Sequence, residues 1–164
     1  HLTRELLTRG DEVHILRRPT SDGWRLTDIR SRLHEHIGDL TDFASVKKAV
    51  DAARPEVVYH LGAYVNVGRT LQNANAIADV IIGGTLRLWR ALDGHNYRVF
   101  VNSGTCEEYG DNPVPFREEQ LPAPVSPYSA AKTAVTFYGL MYHKTLGLPI
   151  VTLRPFLTYG PMQQ

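Results

Sequence analysis

Several features that would mark a specialised class of protein are scarce in this sequence or missing from it. The single cysteine, Cys106, rules out a disulfide bond within the chain and fits a reducing, cytoplasmic location. No apolar run approaches the roughly 20 residues that a membrane-spanning helix needs. The formal net charge of +1 gives no electrostatic footprint for nucleic acid. We therefore expect a cytoplasmic globular protein whose partners are neither nucleic acids nor membranes.

Strand-like and helix-like segments alternate along the chain. Short segments rich in Val, Ile and Leu predict strands at 11–17, 33–38, 57–61, 97–102 and 149–153. Apolar residues at helical spacing predict helices at 2–9, 42–53, 70–92 and 127–145, with a polar loop at 18–31 and a proline-rich loop at 111–127. The run at 57–61 is continuously apolar, as in a strand that is buried on both faces. This alternation favours an α/β fold, one domain built on a parallel sheet.

The start of the helix at 127–145 carries the first candidate site. Ser126 can cap the helix, and Pro127 suits its first position, where a missing N–H costs nothing. Tyr128 and Lys132 are four residues apart, so their side chains project from one face of this helix. A nearby cation favours the phenolate and lowers the pKa of a tyrosine from its ordinary value near 10. The pair therefore predicts a tyrosine that acts as an acid–base group.

Further candidates follow the ends of the predicted strands. In an open parallel sheet the ligand binds outside the carboxyl ends of the strands. The strand at 97–102 is followed by Thr105, Cys106 and Glu107. The strand at 57–61 is followed by Gly62 and Ala63, which are small enough for a flat ring to approach the backbone.

Five segments, in this order along the chain, resemble motifs of the extended short-chain dehydrogenases/reductases, the family of nucleotide-sugar epimerases and dehydratases. They are Gly38-Asp39-Leu40, His60-Leu61-Gly62-Ala63, the segment Asn102 to Gly110, Tyr128-Ser-Ala-Ala-Lys132, and the segment Gly147 to Pro161. The resemblance implies a Rossmann-like, doubly wound parallel sheet. It also implies an NAD(P)-dependent oxidoreductase that acts by hydride transfer on a nucleotide-activated sugar, as an epimerase, a dehydratase or a keto-sugar reductase.

The resemblance assigns roles to individual residues. Tyr128 would exchange the proton of a sugar hydroxyl. Lys132 would lower the pKa of Tyr128 and bind the nicotinamide ribose. Thr105 would hydrogen-bond the reacting oxygen. Glu107 aligns with the base of the sugar 4,6-dehydratases. Contacts to the cofactor are expected from Arg17, Arg18, Asp39, Leu40, Leu61, Gly62, Ala63, Tyr128, Lys132 and Pro155.

The sequence also departs from the family pattern. It lacks the first strand with its Gly-rich phosphate-binding loop, and it lacks the C-terminal substrate domain. We therefore expect residues 1–164 to be a partial dinucleotide-binding domain, an interior fragment of a longer enzyme that is inactive by itself. Leu157 stands where the family usually has a substrate-binding Asn. Ile81 replaces an Asn that bends a helix and relays protons.

Other interpretations of the same residues remain open. Glu107 and Glu108 together also fit a simple acidic loop. Cys106 replaces the Asp of the dTDP-glucose dehydratases, which argues against that chemistry, whereas the GDP-mannose dehydratases have Ser there and remain possible. No base that would pair with Cys106 as a nucleophile is evident. The chain as a whole also fits a non-catalytic NADP-binding sensor or scaffold, although such a protein would not need the complete set of catalytic side chains.

His34 and His36 lie on one face of a predicted strand and are possible metal ligands. Two ligands without a third do not make a metal site, so we predict none.

Two further predictions concern the cofactor and the quaternary structure. Arg17 and Arg18 end the strand at 11–17, where arginine accommodates a ribose 2′-phosphate and an acid would hold a 2′-hydroxyl, so we expect NADP rather than NAD. We also expect a homodimer through the helices near 70–92 and 127–145. The second of these helices has more apolar surface than it needs to cover the sheet, at Phe137, Tyr138, Leu140 and Met141.

Overall fold

The computed structural model describes residues 1–65, 68 and 70–161. The strands are β1 (His14–Arg17), β2 (His34–Ile37), β3 (Val57–His60), β4 (Val99–Ser103) and β5 (Ile150–Leu153). The α-helices are α1 (Leu2–Thr8), α2 (Phe43–Ala53), α3 (Ala74–Ala78), α4 (Gly84–Ala91) and α5 (Pro127–Leu146). A π-helix at Asp79–Gly83 joins α3 to α4, and 3₁₀ helices form at Trp24–Arg32 and Cys106–Glu108.

These elements confirm the predicted α/β alternation, with two local differences. The loop predicted at 18–31 contains the 3₁₀ helix Trp24–Arg32, which the buried side chain of Ile29 anchors. The helix predicted at 70–92 begins at Ala74 and ends at Ala91. Both differences arise because tertiary packing outweighs the local preference of a short polar segment.

The strands form two parallel sheets rather than one. β1 pairs with β2, and β3, β4 and β5 pair in that order. In the described part of the chain no strand lies between β1 and β3. Each of these two strands therefore has one edge without a neighbouring strand, and a cleft separates the two sheets.

Two hydrophobic cores correspond to the two sheets. The small core lies between α1, the first 3₁₀ helix and the β1–β2 pair, and it consists of Leu7, Val13 and Ile29. The large core lies against one face of the three-stranded sheet, under α2, α3, α4 and α5. Its buried side chains are Val46, Val50, Ile77, Ile81, Leu88, Trp89, Ala91, Leu92, Phe100, Ala131 and Val135.

The prediction that the strand at 57–61 is buried on both faces was wrong. His60 is buried, but Tyr59 points to the other face and is 38% exposed. Tyr59, Val101 and Val151 are in register across the three strands, and Val151 is also exposed. Helices of the described chain cover only one face of this sheet, so an apolar run alone was not sufficient evidence for two covered faces.

The helix that carries Ile81 bends even without the family's Asn. Its residues 79–83 form a π-helix, and the buried side chain of Ile81 packs in the large core. Gly84 follows, at a point where the helix backbone approaches Leu40 closely. A Cβ atom at Gly84 would lie 2.8 Å from the Cβ of Leu40, so only glycine fits there.

None of the helices in the described ranges combines the length and the apolar character that crossing a membrane requires.

Candidate active site

The start of α5 forms as the sequence predicts. The hydroxyl of Ser126 accepts a hydrogen bond from the backbone N–H of Ser129, and Pro127 occupies the first helical turn. The hydroxyl of Ser129 in turn accepts from the backbone N–H of Ser126 at 3.0 Å. This reciprocal capping fixes the first turn and so the direction in which Tyr128 projects.

Lys132 is held at the carboxyl end of β4. Its side chain is buried, and its ammonium donates to the backbone carbonyl oxygen of Ser103 at 2.6 Å. Burial lowers the pKa of Lys132. The ammonium nitrogen lies 5.9 Å from the centre of the Tyr128 ring. The helix therefore brings a cation close to the phenol, and the carbonyl fixes the position of that cation.

Tyr128 is half-buried, and Thr105 is close enough for a hydrogen bond from its hydroxyl to favour the ionised form of the phenol. Burial raises the pKa of Tyr128, and the negative charge of Glu107 raises it further, while the hydrogen bond from Thr105 lowers it. The sequence-based prediction of a lowered pKa is therefore wrong for the protein shown here. The i, i+4 spacing places Lys132 beside Tyr128, but the desolvation of the phenol outweighs the effect of that neighbour.

Thr105 is held by a buried ion pair. Its backbone N–H donates to Oε1 of Glu108 at 3.0 Å, and Oε2 of the same carboxylate accepts from Nε of Arg154 at 3.0 Å. Glu108 is fully buried, so the prediction of a simple acidic loop is wrong for this residue. Gly104 makes room for the carboxylate, because a Cβ atom there would lie 2.4 Å from Oε1. A buried charge that is paired and hydrogen-bonded in this way gives Thr105 a fixed position.

The neighbouring residues occupy more open positions. Glu107 is half-buried, and its backbone N–H donates to the hydroxyl oxygen of Thr105 at 3.3 Å. Cys106 is also half-buried, and its backbone N–H donates to the carbonyl oxygen of Pro155 at 3.1 Å. The ends of β4 and β5 thus place Thr105, Glu107 and Pro155 close to the start of α5.

The cleft between the two sheets collects most of the predicted cofactor contacts. It has a volume of about 1070 Å³. Among its lining residues are Arg17, Arg18, Asp39, Leu40, Leu61, Gly62 and Ala63. Tyr128, Lys132 and Pro155 do not line it. His60 lies between the cleft and the Tyr128–Lys132 pair. It lines the cleft, and it is close enough to Lys132 for that charge to contribute to lowering the pKa of His60.

Arg17 and Arg18 differ in a way that the sequence did not predict. Arg17 is half-buried, and its guanidinium donates to Glu35 at 3.2 Å and to the carbonyl oxygen of Ser21. Glu35 also accepts from Arg30 at 2.7 Å. Arg18 is exposed, and its charge helps to lower the pKa of Asp39 in the cleft. Arg18 is therefore the arginine that is available to a ligand in the cleft.

His60 is a further buried polar residue that sequence reasoning did not single out. The hydroxyl of Thr85 donates to the carbonyl oxygen of Ile81 at 2.6 Å, so it accepts from Nε2–H of His60 at 2.9 Å. Burial lowers the pKa of His60 to about 4, with a smaller contribution from Lys132. A neutral histidine thus ties the end of β3 to the bent helix. A lone histidine in an apolar run gives no signal of such a role.

The structure places two possible metal ligands beside His34 that the sequence did not reveal. Strand pairing brings His14 and Glu12 to the same place, and side-chain atoms of Glu12, His14 and His34 lie within 4.8 Å of one another. Neither residue is close to His34 in the sequence, so only the pairing of β1 with β2 reveals the group.

The profile of the NAD dependent epimerase/dehydratase family matches residues 1–164. GDP-mannose 4,6 dehydratase 1 from Arabidopsis thaliana is 34% identical over 163 residues, which cover 90% of this chain and 45% of the relative. UDP-glucuronate 4-epimerase from Thermodesulfobacterium geofontis is 30% identical over 141 residues, or 84% of this chain and 44% of the relative. The chain thus spans about half the length of the curated relatives that it matches.

Solved structures show the same relationship. UDP-glucose 4-epimerase from Thermus thermophilus, determined as a complex with NAD, superposes with a TM-score of 0.87 at 30% identity. The superposition covers all of this chain and 53% of the epimerase. The Rossmann-like arrangement predicted from the sequence is thereby confirmed.

Proposed function

Because the chain belongs to the NAD-dependent epimerase/dehydratase family, we propose that it carries the acid–base site and part of the cofactor pocket of a nucleotide-sugar oxidoreductase. The observation that carries this proposal is the position of Lys132, which the carbonyl of Ser103 fixes beside the ring of Tyr128, with Thr105 close enough to lower the pKa of that tyrosine. All of these groups lie at the carboxyl ends of the strands, where ligands of open parallel sheets bind.

The cleft supports a dinucleotide in this position. Its lining combines small residues (Gly62 and Ala63), apolar side chains (Leu40 and Leu61) and a carboxylate at Asp39. When bound, the nicotinamide cofactor supplies a hydride acceptor or donor. This chain would hold the adenosine part at Arg18, Asp39 and Leu40, and Lys132 would reach the part nearest the reacting sugar.

Tyr128 and Thr105 handle the proton that accompanies the hydride. With its raised pKa, Tyr128 is neutral near pH 7 and can donate its proton to the oxygen of a keto sugar as that oxygen gains negative charge. In the reverse direction it accepts the proton of a sugar hydroxyl, and the ammonium of Lys132 stabilises the phenolate that results. Thr105, fixed by Glu108, positions the reacting oxygen.

Glu107 is the candidate second base. Its charge acts on Tyr128, and it is less buried than Glu108. Elimination of water from a sugar needs a base that removes a carbon-bound proton, in addition to the group that exchanges the hydroxyl proton. Glu107→Gln is therefore expected to abolish a dehydratase reaction and to leave a 4-epimerase reaction largely intact. The matched control is Glu119→Gln in the exposed loop, which should affect neither.

The cofactor proposed is NADP, with NAD as the alternative, and Arg18 carries the preference. Arg17 is held by Glu35, whereas Arg18 is exposed beside the cleft. Arg18→Asp should shift the preference toward NAD, because a carboxylate repels a 2′-phosphate and accepts from a 2′-hydroxyl. Arg117→Asp, an equal change of charge in an exposed loop, should leave it unchanged. Equal dissociation constants for the two cofactors in the unmutated protein would contradict the preference.

The domain organisation proposed is a partial Rossmann domain within a longer enzyme. The unpaired edges of β1 and β3 line the same cleft, which supports the insertion of a further parallel strand between them, while the end of the cleft at Arg18, Asp39, Gly62 and Ala63 is left for the cofactor. A reducing compartment such as the cytoplasm suits the free thiol of Cys106.

The quaternary structure proposed is a homodimer through α5. Phe137 and Leu140 are each 51% exposed on this helix, and Tyr138 and Met141 are exposed beside them. Leu140→Glu should convert the dimer into a monomer, because it places a charge in an apolar contact. Sedimentation at micromolar concentration is the measurement, with Lys144→Glu at the exposed end of the same helix as the control. A monomeric unmutated protein would overturn the proposal.

The direct test of the proposed function uses the longer enzyme that contains residues 1–164, with NAD or NADP and a panel of nucleotide sugars, including GDP-mannose and UDP-glucuronate. Mass spectrometry separates a dehydratase product, which has lost one water, from an epimer of unchanged mass. We expect turnover of at least one sugar. Cofactor binding without turnover of any sugar would favour a non-catalytic sensor. A failure to bind either cofactor would contradict the proposed function and leave only the fold established.

A further inference from the structure

Three imidazoles and a carboxylate meet on the β1–β2 pair, where Glu12, His14 and His36 also line the cleft between the two sheets. His14 of β1 is directly opposite His34 of β2 in the parallel register, and His36 follows two residues later on the same face. The His14 and His34 rings are stacked, with centres 4.6 Å apart and planes 17° from parallel. Glu12 lies just before β1 and reaches both rings.

The two distances from Glu12 to the histidines match those between the ligands of a tetrahedral zinc ion, and the two histidine nitrogens lie within 4.8 Å of each other. Zinc binds imidazole nitrogen and carboxylate oxygen at about 2.0–2.1 Å, so two ligand atoms in a tetrahedron are separated by about 3.3 Å. Oε1 of Glu12 lies 3.0 Å from Nε2 of His14 and 3.5 Å from Nε2 of His34. An imidazole nitrogen binds zinc in the plane of its ring, so the two nearly parallel rings must rotate about their side-chain torsions to face one ion. We propose that Glu12, His14 and His34 bind a zinc ion, with water in the fourth position.

His36 positions one of these ligands. Its Nε2 lies 2.8 Å from Nδ1 of His14. When Nδ1–H of His14 donates to His36, the lone pair of His14 is on Nε2, which is the atom that faces Glu12. Metal-binding histidines usually use their second ring nitrogen in such a hydrogen bond, which fixes both the tautomer and the ring orientation. His36 is therefore a positioning residue and not a ligand.

The site is accessible to an ion from solution. The Glu12 side chain is 71% exposed and that of His34 is 58% exposed, whereas that of His14 is only 21% exposed. The ion would thus enter from the side of Glu12 and His34 and rest on the less mobile His14. Bound there, it would link the residue before β1 to both strands and stabilise the small core beneath them, because a ligand that binds only the folded state adds to its stability.

The same contacts also describe a cluster of hydrogen-bonded histidines without any metal, and a metal titration separates the two. The full chain is produced without a polyhistidine tag and freed of metal with a chelator, and it is then titrated with zinc chloride in a calorimeter. The expected result is one equivalent of zinc, a dissociation constant in the micromolar range or below, and a rise in melting temperature of about 5–10 °C at 100-fold excess over that constant.

Variants assign the ligands. Glu12→Gln and His34→Gln should each weaken zinc binding by about ten-fold or more, and His36→Gln should weaken it by about ten-fold through His14. His143→Gln, a change of the same type at an exposed residue of α5, should have no effect. His34→Cys keeps a zinc ligand, so it should restore affinity relative to His34→Gln and add a thiolate-to-metal absorption band with cobalt(II).

Two results would overturn the zinc site. The first is a failure of the unmutated protein to take up one equivalent of zinc. The second is an affinity that Glu12→Gln and His34→Gln leave unchanged. Because the readout is the binding of the metal alone, neither result depends on whether the protein turns over a nucleotide sugar.

Discussion

The two sheets of this protein hold their polar groups in opposite ways. Beneath the three-stranded sheet, the charges at the site are buried: Glu108 is fully buried and paired with Arg154, and Lys132 is bound to a backbone carbonyl. Around the β1–β2 pair, most ion pairs lie at the surface, such as that of Arg4 with Asp28, and the pair of Arg17 with Glu35 is the least exposed of those described there. The large core belongs to the first region and the small core to the second.

This difference in burial indicates which region can hold catalytic groups in a fixed geometry. A buried polar group that loses its partner pays the full cost of desolvation, so its geometry is strongly enforced. An exposed ion pair exchanges its partner for water at little cost. The acid–base groups of the proposed site are therefore supported by the large core, while the β1–β2 region is suited to reversible binding of a charged ligand.

The largest expected effect comes from breaking one ion pair in each region. Arg154→Met leaves the carboxylate of Glu108 buried without its partner, and we expect a loss of about 3–5 kcal/mol in the free energy of unfolding. Arg4→Met breaks the exposed pair with Asp28 and should change the free energy of unfolding much less, because water replaces the lost partner. Urea unfolding of both variants measures the contrast. Similar losses in the two variants would mean that the regions do not differ.

A second comparison uses one substitution in both cores. Ile81→Ala in the large core and Ile29→Ala in the small core remove the same atoms. Both should destabilise within the range of about 2–5 kcal/mol, with Ile81→Ala near the upper end, because its neighbours are more completely buried and can relax less around the cavity. The measurement is again the unfolding free energy. A larger loss for Ile29→Ala would reverse the proposed ranking of the cores.

The third effect depends on pH. The pKa of His60 is lowered from 6.5 to about 4, so between these values the unfolded chain binds a proton that the folded protein does not. The contribution of His60 to the free energy of unfolding is therefore fully present above pH 6.5. It decreases by about 3 kcal/mol as the pH drops toward 4. His60→Gln keeps a donor for Thr85 without the titration, so it should flatten this slope.

The control for that experiment is His143→Gln on the surface of α5, which should keep the acid slope of the unmutated protein. An unchanged slope in His60→Gln would show that His60 is not the group responsible.

Local features of the site were predictable from the sequence, and long-range features were not. Ser126 and Pro127 correctly marked the start of α5, because a helix cap depends on neighbours within four residues. The pairing of Arg17 with Glu35, and of Glu12 with His34, depends on the register of β1 with β2. That register cannot be predicted from the periodicity of the sequence.

Burial was the second quantity that the sequence did not supply. Glu107 and Glu108 are adjacent and chemically identical, yet only Glu108 is fully buried. The 3₁₀ helix that begins after Thr105 turns Glu108 inward, toward Arg154, which is far along the chain. The pKa of Tyr128 was mispredicted for the same reason, because the spacing to Lys132 specifies a neighbour but not the extent of desolvation.

The central claim is that Tyr128 is the acid–base group of the site. The most direct measurement is kcat against pH for Tyr128→Phe in the longer enzyme that contains residues 1–164, compared with Tyr97→Phe. Tyr97 is the matched control, because it is also half-buried with a pKa raised by burial, but it lies before the opposite end of β4. We predict that Tyr128→Phe lowers kcat by about 10²–10⁴, with cofactor affinity nearly unchanged, while Tyr97→Phe stays within roughly two-fold of the unmutated protein. Near-normal turnover by Tyr128→Phe would contradict the account.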